Sequence, residues 1–170
     1  MNKRNVLRKI MFVCAFSTIL FTGCKSSSNY AAPFSPLTWD STIEDMYEQE
    51  GNEYTTKDSY YGDTYSYACE YNGMSGTISY SFDDETLSCI SFTYISDDGD
   101  DITAKYETLH NTLEKKYGES GETSSDTTTM TDIWRMETGN VSLIAVISTD
   151  YNALMYTCLA PDYSTLEVNN

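Results

Sequence analysis

An α+β fold of two tandem units, each a helix followed by a three-stranded antiparallel meander with the helices on one face of the sheet, is predicted by three observations. Two segments ending at Gly51 and Gly118 carry apolar residues at helical spacing. Each is followed by runs in which apolar and polar residues alternate, the period of a half-buried strand. The helix faces and the punctuation also recur 67 residues apart, in the pairs Trp39 and Tyr106, Met46 and Leu113, Gly51 and Gly118, Gly73 and Asn140, and Leu87 and Leu154.

Residues 1–23 precede the fold. Lys3, Arg4, Arg8 and Lys9 lead into an apolar stretch from Ile10 to Phe21. That stretch is shorter than the roughly 20 residues a membrane-crossing helix needs, so it reads as a signal peptide. Phe21-Thr22-Gly23-Cys24 resembles the lipobox of bacterial lipoproteins. The resemblance implies cleavage before Cys24 and a diacylglycerol thioether on its sulfur, with an N-acyl chain as a further candidate. Two or three acyl chains hold a protein stably at a bilayer. Residues 24–36 then form a polar, proline-containing lipidated tether, whose coil would reach roughly 20 Å.

The first unit spans 37–100. Ser41-Thr42-Ile43-Glu44 is a capping-box pattern, Ile43, Met46 and Tyr47 share a helix face, and Gly51 closes it. Tyr65, Tyr67, Cys69 and Tyr71 alternate in the first strand, and Asn72-Gly73 turns the chain. Ile78, Tyr80 and Phe82 alternate in the second, Asp83-Asp84 turns again, and Ile90, Phe92 and Tyr94 alternate in the third. The second unit spans 101–162. Ile102, Tyr106, Leu109, Leu113 and Tyr117 form a helical stripe, capped by Asp100 or Asp101 and stopped by Gly118. Its strands are 133–137, 141–148 and 153–159, and 163–170 is a tail.

Short helix, glycine and then Tyr80, Phe82, Asp84, Leu87, Ile90, Phe92 and Tyr94 in a duplicated lipoprotein resembles the β-lactamase-inhibitor-like and SmpA/OmlA-like small domains. The resemblance covers most of residues 37–162. It implies helices on one face of an antiparallel sheet and a role in protein contacts, either inhibition of an enzyme or support of an envelope assembly machine. No binding residue carries over by a matched motif.

Charge narrows the functions. Removing the signal leaves six basic residues against 26 acids, a net charge of −20. Phosphate backbones and anionic headgroups repel such a surface, so nucleic acid is excluded as a partner and lipid contact is confined to the anchor. Three cysteines are left for pairing, Cys69, Cys89 and Cys158; an odd count leaves one thiol free or an intermolecular bridge. Cys69 falls on the tyrosine face, and Cys89 falls opposite with Ser91 and Thr93, pointing outward. A bridge between Cys69 and Cys158 stays open but is not expected. No CxxC or CxxH spacing supports a zinc site.

Candidate site residues are few. Tyr60 and Tyr61 lie in a polar loop where burial is hard, and they are the candidate partner contacts. Asp97, Asp98, Asp100 and Asp101 around Gly99 are candidate calcium ligands, although acids are also expected at a helix start. His110, the sole histidine, sits beside the apolar stripe with no nucleophile motif to serve. The sequence points first to a non-enzymatic, membrane-anchored extracytoplasmic lipoprotein that binds another envelope or secreted protein, with no cofactor beyond the covalent lipid. A cation- or small-ligand-binding lipoprotein using the acidic loops comes second, and an envelope hydrolase third.

Overall fold

The computed structural model describes residues 30–59, 62–126 and 128–163. The signal segment, the lipidation candidate Cys24, the partner-contact candidates Tyr60 and Tyr61, and the tail from 164 onward lie outside the described residues. The described chain is α+β, with two helices and one eight-stranded antiparallel sheet. In chain order the elements are α1 (Ile43–Glu50), β1 (Thr55–Ser59), β2 (Gly62–Tyr71), β3 (Met74–Asp83), β4 (Thr86–Ser96), α2 (Gly99–Tyr117), β5 (Glu122–Ser125), β6 (Thr129–Met136), β7 (Gly139–Ile147) and β8 (Asn152–Leu159). A 3-10 turn, Pro161–Tyr163, follows. The strand order is β1-β2-β3-β4-β8-β7-β6-β5, so β4 and β8 join in the middle and β1 and β5 form the two edges.

Four strands therefore follow each helix, not three. The additions, β1 and β5, carry no apolar alternation because they are polar edge strands, TTKDS and ETSS, held by backbone pairing to β2 and β6. The six strands predicted from alternation are present, and their inward residues merge with Met46 of α1 and Ile102, Tyr106, Leu109 and Leu113 of α2 in one core. Fully buried Tyr80, Phe82, Phe92 and Trp134 each contribute roughly 1.5–3 kcal/mol of apolar burial. Gly76 makes room for one of them, because a Cβ there would lie 2.8 Å from the Phe92 ring.

Both helix starts are capped close to, but not at, the predicted residues. Thr42 and Asp45 form the box of α1, one residue beyond the predicted Ser41 and Glu44, and Asp98 caps α2 in place of Asp100 or Asp101. Both helices end at glycines with φ near +90°, Gly51 and Gly118, each donating its N–H to the carbonyl four residues back. The two carbonyls also take matching bonds from the sheet. Tyr67 donates its hydroxyl to Gly51 O at 3.2 Å, and 67 residues on Trp134 donates Nε1–H to Gly118 O at 2.8 Å. That spacing does not carry through the next hairpin. Gly73 lies in the β2–β3 turn, whereas Asn140 sits inside β7 opposite Arg135.

Residues 31–37, mostly assigned to the tether, pack into the protein. Ala32 and Leu37 are buried, and the Phe34 ring meets Tyr71, Phe92 and Tyr156 at centroid distances of 5.4, 6.2 and 4.9 Å. Ser35 shares a hydrogen bond with the Tyr80 hydroxyl at 3.2 Å. Small and polar composition hid this, because one aromatic residue in a proline-flanked stretch has no period to reveal its burial. Cys89 is also buried, although it does lie opposite the core face, paired with Ser81 and Leu159. The chain folds back beside it, with Ala160 N–H donating to Ser88 O and Tyr163 donating to Asp83.

Phe34→Ala is expected to lower stability by about 2 kcal/mol or more, somewhat under the roughly 3–5 kcal/mol of a fully buried phenylalanine. Urea denaturation checks this; an unchanged midpoint would return residues 31–37 to the tether.

Candidate functional site

Strand alternation sends the core residues toward the helices and leaves the other face of the sheet open. Across its first half that face carries Thr77, Ser79, Ser91 and Thr93, and across its second half Ser142, Ile144, Met155 and Thr157. Two pairs of hydroxyls on this face bond to each other across strands, Thr64 to Ser81 and Ser66 to Ser79, each at 2.8 Å. A partner covering them strands few polar groups, since their bonds are already made. Ile95, at one end of this face, is 57% exposed.

Charge is absent from the middle of the sheet. Charged residues make up 21% of the chain, yet β3, β4, β8 and β7 hold a single one, Asp83 at the end of β3. The turns at the two ends of the sheet are acidic, with Asp83, Asp84, Glu85, Glu137 and Asp162 at one end and Asp97, Asp98, Asp100 and Asp150 at the other. The open face is thus a neutral field bounded by carboxylates.

Of the candidate calcium ligands, Asp98 accepts the Asp100 N–H at 2.9 Å as the cap of α2, and Asp101 accepts the Tyr94 hydroxyl at 2.7 Å. Among the described residues no three His, Cys, Asp or Glu side chains are grouped so as to hold a metal ion. The aromatic density of the first half gathers where α1, β2 and the Glu53–Thr55 segment meet. Tyr54 stacks on Tyr47 at 5.4 Å and meets Tyr65 edge-on at 5.3 Å. The three cysteines are free thiols, and burial pushes Cys89 and Cys158 up to about 12, which leaves them protonated and unreactive.

One polar constellation escaped the sequence reading. Asp132 of β6 points inward with its side chain 2% exposed and accepts four hydrogen bonds. Ser120 and Thr123 donate to Oδ1 at 2.9 and 2.7 Å, while Tyr106 and His110 Nδ1 of α2 donate to Oδ2, the latter at 2.7 Å. Burial pushes the carboxyl up, but the bonds from Tyr106, Thr123, Ser120 and His110 outweigh it and hold Asp132 below the usual carboxylate range. His110 is therefore not the unengaged surface residue that its place beside the stripe suggested. Its ring lies nearly parallel to Tyr106, 6.2 Å away, with Trp134 at 6.1 Å. An open cavity of about 340 Å³ adjoins the group, lined by Glu107, Asn111, Ser124, Ser125 and Met130. The inward phase of Asp132, between Met130 and Trp134, was the signal available in the sequence.

A scan against protein-family models, a search of curated proteins and a search of solved structures each found no match to the chain. Among the described residues no helix is long and apolar enough to cross a membrane.

Because its folded-state pKa is lowered, Asp132 contributes stability that is fully present above about pH 4, the unfolded value, and is lost as pH falls through the folded value. The stability gap between wild type and Asp132→Asn should shrink across that acid range in thermal melts. A gap that stays constant from neutral to acid pH would contradict the assignment.

Proposed function

We propose that this chain is a lipid-anchored extracytoplasmic protein whose duplicated domain binds another envelope or secreted protein through the open face of its sheet, without catalysing a reaction. The observation that carries the reading is the neutral open face within a heavily acidic chain. Depletion of charge from the centre of a patch is the compositional mark of an interface core. The four central strands, at about 4.8 Å spacing and about eight residues each, present roughly 500 Å², the greater part of the about 800 Å² per partner of a standard interface. The acidic ends select the partner by charge, favouring a neutral central patch with lysine and arginine at its rim.

The anchor rests on the lipobox-like Phe21-Thr22-Gly23-Cys24. The duplication rests on the paired bonds at Gly51 and Gly118 and on the succession of one helix and four strands, twice over. The likeness to inhibitor-like and assembly-supporting small domains belongs to the same reading, with the meander one strand longer in each unit.

A photo-cross-linking residue at Ser91, on the open face, should capture one discrete heterologous partner in intact cells. The same residue at Glu48, exposed on α1, should not. Thr93→Glu should reduce the Ser91 adduct about tenfold or more while leaving the melting temperature within a few degrees, since a surface substitution changes stability little. Equal capture from both positions, or an adduct indifferent to Thr93→Glu, would defeat the proposal.

A further inference from the structure

His110 has more organisation around it than a surface histidine needs. Three hydroxyls already donate to Asp132, and His110 Nδ1 completes the set at 2.7 Å as its fourth donor. Nε2 then presents its lone pair away from the core, toward the exposed side of α2. Glu114, one turn further along the same helix face, places Oε1 3.9 Å from that nitrogen. A carboxylate behind the ring, fixing its tautomer and orientation, is the arrangement found behind metal-ligating histidines.

The first half of the chain shows that the fold does not require this group. At the 67-residue spacing that relates Gly51 to Gly118 and Tyr67 to Trp134, the counterparts of Tyr106, His110 and Asp132 are Trp39, Ile43 and Tyr65. That half builds the corner between helix and sheet from apolar and aromatic side chains, with Ile43 and Tyr65 packed on the core. Burying a carboxylate costs several kcal/mol before its partners offset it, so the polar version is the more expensive solution to the same packing problem. Its visible product is one histidine held rigid with an outward lone pair beside a carboxylate.

From this the geometry points to His110 Nε2 and Glu114 Oε1 as a two-ligand surface site for a divalent transition metal, with Asp132 as the positioning residue and water in the remaining coordination positions. Ligands at about 2.0–2.2 Å in tetrahedral geometry stand roughly 3.3 Å apart, so the pair must close by about half an ångström. Glu114, with its side chain 45% exposed, can do that by rotating about its own torsions. One imidazole and one carboxylate suit Cu²⁺ and Zn²⁺, with Cu²⁺ the tighter; Ca²⁺ and Mg²⁺, which take oxygen ligands, are disfavoured. The site is separate from the acidic segment 97–101 and from the open face of the sheet.

The chain has a single histidine, which makes the test clean. Cu²⁺ is titrated into the detergent-solubilised full chain and followed by electron paramagnetic resonance, and Zn²⁺ is followed through the nitrogen signals of the one imidazole. The expected result is one saturable site with coupling to a single nitrogen, absent in His110→Ala and about tenfold weaker or more in Glu114→Gln. Asp132→Asn should weaken binding about 10–100-fold, the usual loss when the partner behind a ligating histidine is removed. If that variant fails to fold, the exposed Glu114→Gln still decides the matter. Binding only above about 1 mM, or binding that His110→Ala and Glu114→Gln leave unchanged, overturns the proposal, because the copper would then be held by carboxylates elsewhere.

Discussion

Two helices must cover one face of an eight-stranded sheet, and that mismatch of widths shapes the rest of the molecule. Eight strands at about 4.8 Å make a sheet roughly 38 Å wide, while two helices about 10–12 Å thick cover little more than half of it. α1 adds only Met46 to the fully buried core, and α2 packs against β4, β7 and β8. The remaining width is closed by the segment before α1, whose Phe34 sits among Tyr71, Phe92 and Tyr156. A stretch with the composition of a linker becomes part of the core because the sheet has apolar surface left to bury. On the opposite face the chain folds back only beside Cys89, and the rest of that face is left neutral, with two of its hydroxyl pairs bonded across strands.

The two halves solve the same corner problem differently. Each helix ends on a glycine whose carbonyl receives an aromatic donor from the second strand that follows, Tyr67 in one half and Trp134 in the other. Beside that shared feature, the first half stacks Tyr47, Tyr54 and Tyr65, and the second assembles four donors on Asp132. The aromatic corner holds by non-directional burial and tolerates small shifts. The polar corner holds only while all four bonds are in place, since a half-satisfied buried carboxylate is worse than none. That rigidity fixes the His110 ring relative to α2.

What could be read from the sequence was what alternation records. β2, β3, β4, β6, β7 and β8 each have one face in the core, so apolar residues recur at most second positions, chiefly tyrosine, isoleucine and phenylalanine in the first half. β5 buries neither face, and β1 and β5, both polar in sequence, left no such trace. The helix ends were legible to within a residue because glycine at φ near +90° has few substitutes, whereas the choice between neighbouring acids as caps depends on backbone angles no spacing reports. Asp132 was readable in principle, as a charge in the inward phase of β6, but its partners come from α2 and from Ser120 and Thr123 at the start of β5. A constellation drawn from three separate stretches has no motif. His110 looked unengaged for the same reason, since its partner lies 22 residues away.

Docking of residues 31–37 also changes how a lipid anchor would hold the domain. The described chain begins at Tyr30, so five residues separate it from Cys24, and a coil there would reach roughly 13 Å in place of the 20 Å expected of a longer tether. Tyr30 lies beside Glu137 and Thr138, at the β6–β7 turn. The anchor would therefore leave the sheet at the end that also carries Asp83, Asp84, Glu85 and Asp162. Those carboxylates repel anionic headgroups over a screening length of about 8 Å at physiological salt. A coil of that reach would exceed the repulsive layer, so a body anchored through it would stand clear of the membrane with its strands pointing outward. In that posture neither sheet face would lie flat on lipid, and the neutral face would stay open from the side.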